Sequence, residues 1–439
     1  MTTKLEEIAA KARSETNLQF TSLCHHVTKE LLWECLNRIS NKSAPGVDGA
    51  SVEEAKGNFE NWIHPMLQAV HRKGYNAPPV RRVWIPKPGK TEKRPLGVPC
   101  VADRALQRSV AEVLSAIYEQ DFLPCSFGGR PKLSAHHALS TLNEIIAGKK
   151  VGWVFEADLK NFFGSLDHGW LLQFVEHRVG DPRVLNLIKR WLKAGIMEEN
   201  ELQKSEAGTP QGGSISVLLS NVYLHYVLDL WFEKVVKPRL RGEAYLVRYI
   251  DDFVVCFQYR SDAMRFQEAL TKRLDKFALA LELSKTRLAE FGRYAQRDAK
   301  KWGKKVDTIY FLGFTHFCNR NRKGNFMIGR KTEKSRLKRS LQKLQKLMRD
   351  IRHYKVKEQV TAINQVLRGH YAYYGLGGNY RSLWAVYRHS EKFWYKMLKS
   401  RCRKSNMTWE KFNNLKKYYP LKPPKLKLSL YQMQELAVL

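Results

Sequence analysis

The segment YLVRYIDDFVVCF, residues 245–257, sets Asp251 and Asp252 between two runs of β-branched and aromatic residues. Runs of that kind are buried strands. Two adjacent carboxylates inside one continuous strand would carry a heavy desolvation cost. The segment therefore reads as strand, tight turn, strand, with both acids at the turn. A third acid, Asp158, closes another apolar strand, GWVFEADL at 152–159. Neighbouring side chains of a strand point to opposite faces, but a tight turn relaxes that rule, and both turn carboxylates can approach one site. Three carboxylates at strand ends suit two hard cations such as Mg²⁺. Two such ions about 3.5–4 Å apart can activate an attacking oxygen and stabilise a leaving one in phosphoryl transfer. The plain alternative is a surface turn that happens to carry two acids.

Charge narrows the partners. The 439 residues carry 76 Lys and Arg against 42 Asp and Glu, a formal charge of +34. A surplus of that size points to a polyanion, with nucleic acid favoured over an anionic membrane. Base is concentrated at Arg320–Lys357, with 15 basic and 2 acidic residues, and aromatics interleave with it in HYAYYG (370–375) and KFWYK (392–396). Such rings can stack on bases, or they can be core. Apolar residues make up 44% of the chain, enough for a core and two to four domains. No run of 18 apolar residues occurs. Ile215–Phe232 is broken by Ser216, Ser220, Asn221, His225 and Asp229 and reads as a buried helix. The N-terminus has no apolar signal core. Seven scattered cysteines without a C-x-x-C pair argue against a disulfide framework or zinc knuckle and favour a reducing cytoplasm. Cys24-His25-His26 lacks a second pair at ligand spacing and reads as structural; Asp167 before His168 reads as a helix cap.

Along the chain, the patterns predict helices over 1–40, 53–75, 102–120, 135–147, 183–196, 214–234 and 262–281. Short strands flank a Gly/Lys turn at 88–93, and 309–317 reads as one strand. After about 318–330 the character changes. Leu337, Leu341, Leu344, Met348 and Ile351 form one apolar stripe on a basic helix. Another helix is predicted over 358–374, and PLKPPKLKL (420–428) reads as a stiff basic linker or arm.

These motifs, in this order, resemble the group II intron reverse transcriptase/maturase family. Tyr249-Ile250-Asp251-Asp252 is similar to its Y-x-D-D box. APGVDG (44–49), RVWIPKPGKTEKRPLGVPCVADRALQ (82–107), SFGGRPKLSAHHAL (126–139), EADLKNFF (156–163), GTPQGGSIS (208–216), KTRLAEFG (285–292) and YFLGF (310–314) match its other blocks. NQVLRGHYAYYG (364–375) and TWEKFNNLKKYYPLKPPK (408–425) are similar to its thumb and its short DNA-binding tail. The resemblance covers roughly residues 40–428.

The resemblance implies an α/β (α+β) right-hand polymerase. Its parts would be an N-terminal extension (1–75), fingers and palm (76–317), a thumb (318–400) and a basic tail (401–439) without an endonuclease domain. It implies an RNA-directed DNA polymerase that also copies DNA, working on RNA and DNA template–primer and dNTPs with Mg²⁺, for which Mn²⁺ can substitute. No membrane is involved, and a homodimer is compatible with relatives of this kind. Asp158, Asp251 and Asp252 are implied as catalytic metal ligands, with the carbonyl of Leu159. Phe163 is implied as the wall that excludes a 2′-hydroxyl, with Phe162 as core. Lys87, Arg94, Pro210 and Gln211 are implied around the dNTP, where two cations on a hairpin can neutralise a triphosphate. Arg130 and Lys285 are secondary candidates for phosphate contact, with a structural salt bridge as the alternative for each. Tyr249 and Ile250 complete the box.

The chain departs from the family pattern at four places. Ile250 stands for the usual alanine, Gly129 for an aromatic, Gly164 for an aspartate and Val217 for a proline. These changes resemble free-standing bacterial members associated with double-strand break repair by microhomology-mediated end joining, which implies a cytoplasmic, nucleoid-associated host protein. The alternatives are an intron-encoded maturase for splicing and retrohoming, and a phage-defence enzyme.

Overall fold

The computed structural model describes residues 3–86, 93–198, 201–203, 208, 213–401 and 406–438. Its centre is a four-stranded antiparallel sheet of β3 (Trp153–Asp158), β6 (Ala244–Tyr249), β7 (Asp252–Phe257) and β8 (Arg287–Glu290), in the order β6-β7-β3-β8. The apolar runs that predicted these strands are continuous because both faces are covered. Phe155, Ala157, Phe253, Val255 and Phe257 enter one core, while Val154, Val254 and Cys256 alternate into another. Val101–Asp121, Ser216–Leu224 and Arg260–Lys276 pack into the first core, together with the N-terminal helices. Ala135–Gly148 packs into the second.

Two smaller sheets flank this one. β1 (Val80–Pro86) pairs with β2 (Lys93–Val98) and with β4 (Ile196–Glu198), which pairs with β5 (Glu201–Gln203). β9 (Thr308–Phe311), β10 (Phe314–Arg320) and β11 (Phe326–Thr332) form a meander. The single strand expected over 309–317 is thus two, folded at Leu312 and Gly313, both with positive φ (+47° and +81°). That turn geometry suits a tight hairpin, and the glycine behind Leu312 was its only sequence signal.

Other boundaries shift for similar reasons. The helix expected over 1–40 is three pieces, Thr3–Ser14, Cys24–His26 and Lys29–Asn37, and that over 53–75 breaks into Val52–Gly57 and Phe59–His71. The long helix from 214 is α-helical only over Ser216–Leu224, then widens into π-type turns at His225–Asp229 and Phe232–Val236. Mixed character persists to Thr332, so the helical region begins at Lys334 rather than near 318–330.

That region, Lys334–Asp350, Val356–Tyr374 and Tyr380–Lys399, has its own core. The expected stripe faces inward: Leu344, Met348 and Ile351 are buried and Leu337 and Leu341 partly so. Most interleaved aromatics are core rather than base-stacking surface. Tyr371 is buried, and Trp394 is fully buried with Nε1 donating to Gln359. The proline-rich segment is a docked strap, not a free arm. Leu421 is buried, Pro420 O accepts from Asn364 (3.1 Å), and Lys422 N donates to Asn364 (2.7 Å). Among the described residues no helix is long and apolar enough to cross a membrane.

Candidate active site

The three aspartates meet at one end of the central sheet. Asp158, the last residue of β3, lies directly opposite Asp252, the first residue of β7. Tyr249 pairs with Asp252, which leaves Ile250 and Asp251 as a two-residue turn. Ile250 has φ +60°, a left-handed conformation that a β-branched residue adopts only under constraint. The constraint is visible. A Cβ on Gly128 would lie 2.6 Å from both the amide nitrogen and Cγ1 of Ile250, so only glycine lets that backbone sit against the turn.

Burial and mutual repulsion set the charge of the acids. Asp251 is raised above the ordinary carboxylate range, chiefly by desolvation and then by Asp158. Asp252 is pushed up to about 7 by desolvation, followed by Asp158 and Asp251. Lys285 Nζ bonds directly to Asp158 Oδ2. Burial pulls the pKa of Lys285 down, but the hydrogen bond and charge of Asp158 outweigh it and leave it raised. An ammonium thus sits where the acids attract positive charge. Among the described residues no group of three or more His, Cys, Asp or Glu is placed so that it could hold a metal ion. Unneutralised carboxylates repel, and Lys285 holds one of them. The donor set itself, hard oxygens in excess negative charge, fits a divalent cation of the Mg²⁺ class.

Leu159 is buried and forms an isolated antiparallel bridge with Leu281. The bonds of that bridge run from Lys160 N to Ala280 O and from Glu282 N to Asp158 O, which turns the Leu159 carbonyl away from Leu281. Glu156, two residues before Asp158, is structural: it is buried and accepts from Arg287 at 2.7 Å.

Phe162 is buried, whereas Phe163 is only partly covered, packed against the edge of the core. Gly208 seats on it. Gly208 has φ +86°, and a Cβ there would lie 2.8 Å from Phe163 O and from Gly164 Cα. Its amide donates to Leu166 O (2.8 Å), and its carbonyl lies 2.7 Å from His168 Nε2. Pro210 and Gln211, two and three residues on, lie outside the described residues, as does Lys87. Arg94 is exposed on β2, paired with Ile85. Arg130 is tied into the fold: it donates to Glu119 (2.9 Å), Leu123 O (3.0 Å) and Ser126 O (2.8 Å), with a side chain only 10% exposed. Of its two readings, these contacts make the salt bridge. The amides of Leu23 and Cys24 both donate to Asp181, and Asp167 caps its helix through Trp170 N.

One group was missed by sequence reasoning. Arg248 is fully buried and donates to Asp229 (2.7 and 2.5 Å), Asn221 (2.9 Å), Ser126 Oγ (2.8 Å) and the carbonyl of Ile250 (3.0 Å). Asn221 Nδ2 in turn donates to Gly128 O (2.7 Å). The available signal was an arginine inside an apolar strand and an aspartate inside an apolar helix, each requiring a partner.

Residues 85–316, about half of the chain, match the family model described as reverse transcriptase (RNA-dependent DNA polymerase). The group II intron-encoded protein LtrA of Lactococcus lactis subsp. cremoris is 34% identical over 232 residues, 52% of this chain and 38% of that protein. Protein YkfC of Escherichia coli (strain K12) is 32% identical over 244 residues, 54% of this chain and 64% of its own length. An uncharacterized 91 kDa protein in the cob intron of Schizosaccharomyces pombe is 31% identical over 235 residues, 52% of this chain and 28% of that protein. The chain thus spans less than two thirds of each of these relatives. With an acid triad at the end of a two-sided sheet inside the matched segment, the chain belongs to the reverse transcriptase family and is similar to its group II intron-encoded members.

Proposed function

We propose that this chain is an RNA-directed DNA polymerase that also copies DNA, extending a primer 3′-end with dNTPs. The observation that carries the reading is the register: Asp158 opposite Asp252, with Asp251 in the turn between β6 and β7. In this reading the central sheet is the palm, β1 and β2 belong to the fingers, and the helices from Lys334 form the thumb. Residues 1–75 form an N-terminal extension and residues 401–439, which include the strap, the tail. The carboxylates of Asp158, Asp251 and Asp252 and the carbonyl of Leu159 would hold Mg²⁺, or Mn²⁺ in its place. When bound, such ions supply the positive charge that favours attack of the primer 3′-hydroxyl on the α-phosphate and departure of pyrophosphate.

The chain's own residues do the rest. Burial keeps Asp251 and Asp252 hungry for cations. Arg94, with Lys87, neutralises the triphosphate. Phe163 walls the sugar, and its planar face tolerates hydrogen but not a 2′-hydroxyl. Pro210 and Gln211 contact the incoming nucleotide, and Gly208, two residues before Pro210 in the chain, packs against the backbone of Phe163 and Gly164.

Asp251→Ala is expected to abolish primer extension while template–primer affinity stays within a few-fold; retained synthesis would refute the assignment. The strained Ile250 motivates a narrower reading, the host role in end joining. A bulky residue at the turn alters how the primer end sits and favours short, weakly paired termini over long copying. Ile250→Ala should then shift the balance from joining of ends that share a few bases toward long cDNA; an unchanged balance refutes the narrower reading alone.

A further inference from the structure

We propose that Arg248, with Asp229 and Asn221, is a buried clamp that holds the Ile250-Asp251 turn in a conformation Ile250 itself disfavours, and so positions Asp251 and Asp252. The inference rests on the polymerase reading and assigns positioning residues to the same site.

Three observations converge. Ile250 occupies a left-handed conformation. The only charged donor reaching its carbonyl is, among the described contacts, Arg248 Nη1 at 3.0 Å. The same guanidinium is immobilised from three other directions by Asp229, Asn221 and Ser126, all buried. Asn221 also ties down Gly128, whose backbone presses on Ile250. Beside it, a Cβ on Gly129 would lie 2.2 Å from Val217 Cγ1, so this position and Val217, one turn of helix from Asn221, share the same tight packing. Asp229 lies at the end of a π-type stretch, a feature often found where a helix is adjusted for function.

Sizes favour a positional role. A left-handed β-branched residue disfavours its conformer by roughly tenfold to a hundredfold. One charge-assisted hydrogen bond to a buried carbonyl offsets about the same factor. The clamp therefore decides which way the turn lies. An arginine is needed because its planar fork reaches the carbonyl, the amide and the carboxylate together; a lysine is a point charge.

The test uses the full chain. Arg248→Lys keeps a cation beside Asp229 but loses the fork. It is expected to lower kcat for primer extension about tenfold to a hundredfold and to weaken Mn²⁺ binding, followed by electron paramagnetic resonance without substrate, by a similar factor. The Kd for template–primer should hold within threefold. Glycine adopts positive φ freely, so adding Ile250→Gly to Arg248→Lys should restore kcat and Mn²⁺ affinity to within a few-fold of Ile250→Gly alone. A folded Arg248→Lys protein with unchanged kcat and Mn²⁺ affinity overturns the clamp. So does a loss that Ile250→Gly leaves untouched, which would mark the network as general scaffold. If Arg248→Lys does not fold, the paired Arg248→Gln/Asp229→Asn variant, which leaves no buried charge unmatched, carries the same comparison. Absence of extension by the wild-type chain would instead strike the polymerase reading, and the Mn²⁺ arm would still decide the clamp.

Discussion

Replacing Gly208 by alanine should damage nucleotide selection more than it damages the fold. The added methyl would sit 2.8 Å from Phe163 O and Gly164 Cα and 3.0 Å from Gly164 C, all backbone atoms that cannot rotate away. Alanine at φ +86° carries a further penalty. The left-handed conformer costs about 1–2 kcal/mol, and overpacking about 1–3 kcal/mol. The sum, about 2–5 kcal/mol, is relieved by lifting residue 208 off Phe163 and Gly164, against its two long-range hydrogen bonds, to Leu166 O and from His168. Lifting it moves the residue from which the chain runs on, three positions later, to Gln211. If half the strain is transmitted to nucleotide binding, kcat/KM for dNTP falls about tenfold, since about 1.4 kcal/mol is a factor of ten. The assay is single-nucleotide extension with dNTP and the matching ribonucleotide, beside template–primer Kd. Gly57→Ala is the control, since nothing lies within 4 Å of a Cβ there. A folded Gly208→Ala protein with kcat/KM and sugar discrimination within twofold of wild type would refute the argument that Gly208 seats the nucleotide loop.

Other expectations follow from the same geometry. Phe163→Ala should admit ribonucleotides, lowering sugar discrimination at least tenfold in competitive extension; unchanged selectivity places the wall elsewhere. Lys285→Met removes the cation that occupies Asp158, so the Mg²⁺ concentration for half-maximal extension should fall several-fold while KM for dNTP rises, and no change in either dissociates Lys285 from the site. His316 is buried, and burial, then Arg330, drives its imidazole down to about 3. The unfolded chain takes up that proton near pH 6.5, so the neutral imidazole contributes stability above pH 6.5 that is lost as pH falls toward 3. Between pH 6.5 and 5 the loss is about 1.5 kcal/mol for this one group. Unfolding free energies from urea should fall by about that amount more for wild type than for His316→Gln between the two pH values, and parallel pH dependence would exclude it.

How much was legible depends on range. The continuous apolar runs around Asp158 and Asp251–Asp252 predicted the strands and the turn because both faces of those strands enter a core. The helices Val101–Asp121 and Ala135–Gly148 matched to within a residue or so of expectation for the same reason. Local breaks were harder. The turn at Leu312-Gly313 and the split of the N-terminal helices depend on where the chain must reverse to reach a partner, which apolar spacing does not encode.

The sequence alone determined which chemistry was possible: three carboxylates at strand ends, a basic surplus, and ordered motifs that name a family. Tertiary structure decided which charges are free to use it. Arg130, Arg248 and Lys285 are all cations near the motifs, yet one is bound into a loop, one is buried beneath the turn, and one rests on Asp158. The aromatics of the C-terminal third, equally suited to stacking on bases, mostly went into a core because three helices needed one. The physical reason is common to these cases. A side chain's type sets what it can bond, but its partner is set by which distant segments the sheet register and helix packing bring within hydrogen-bonding reach.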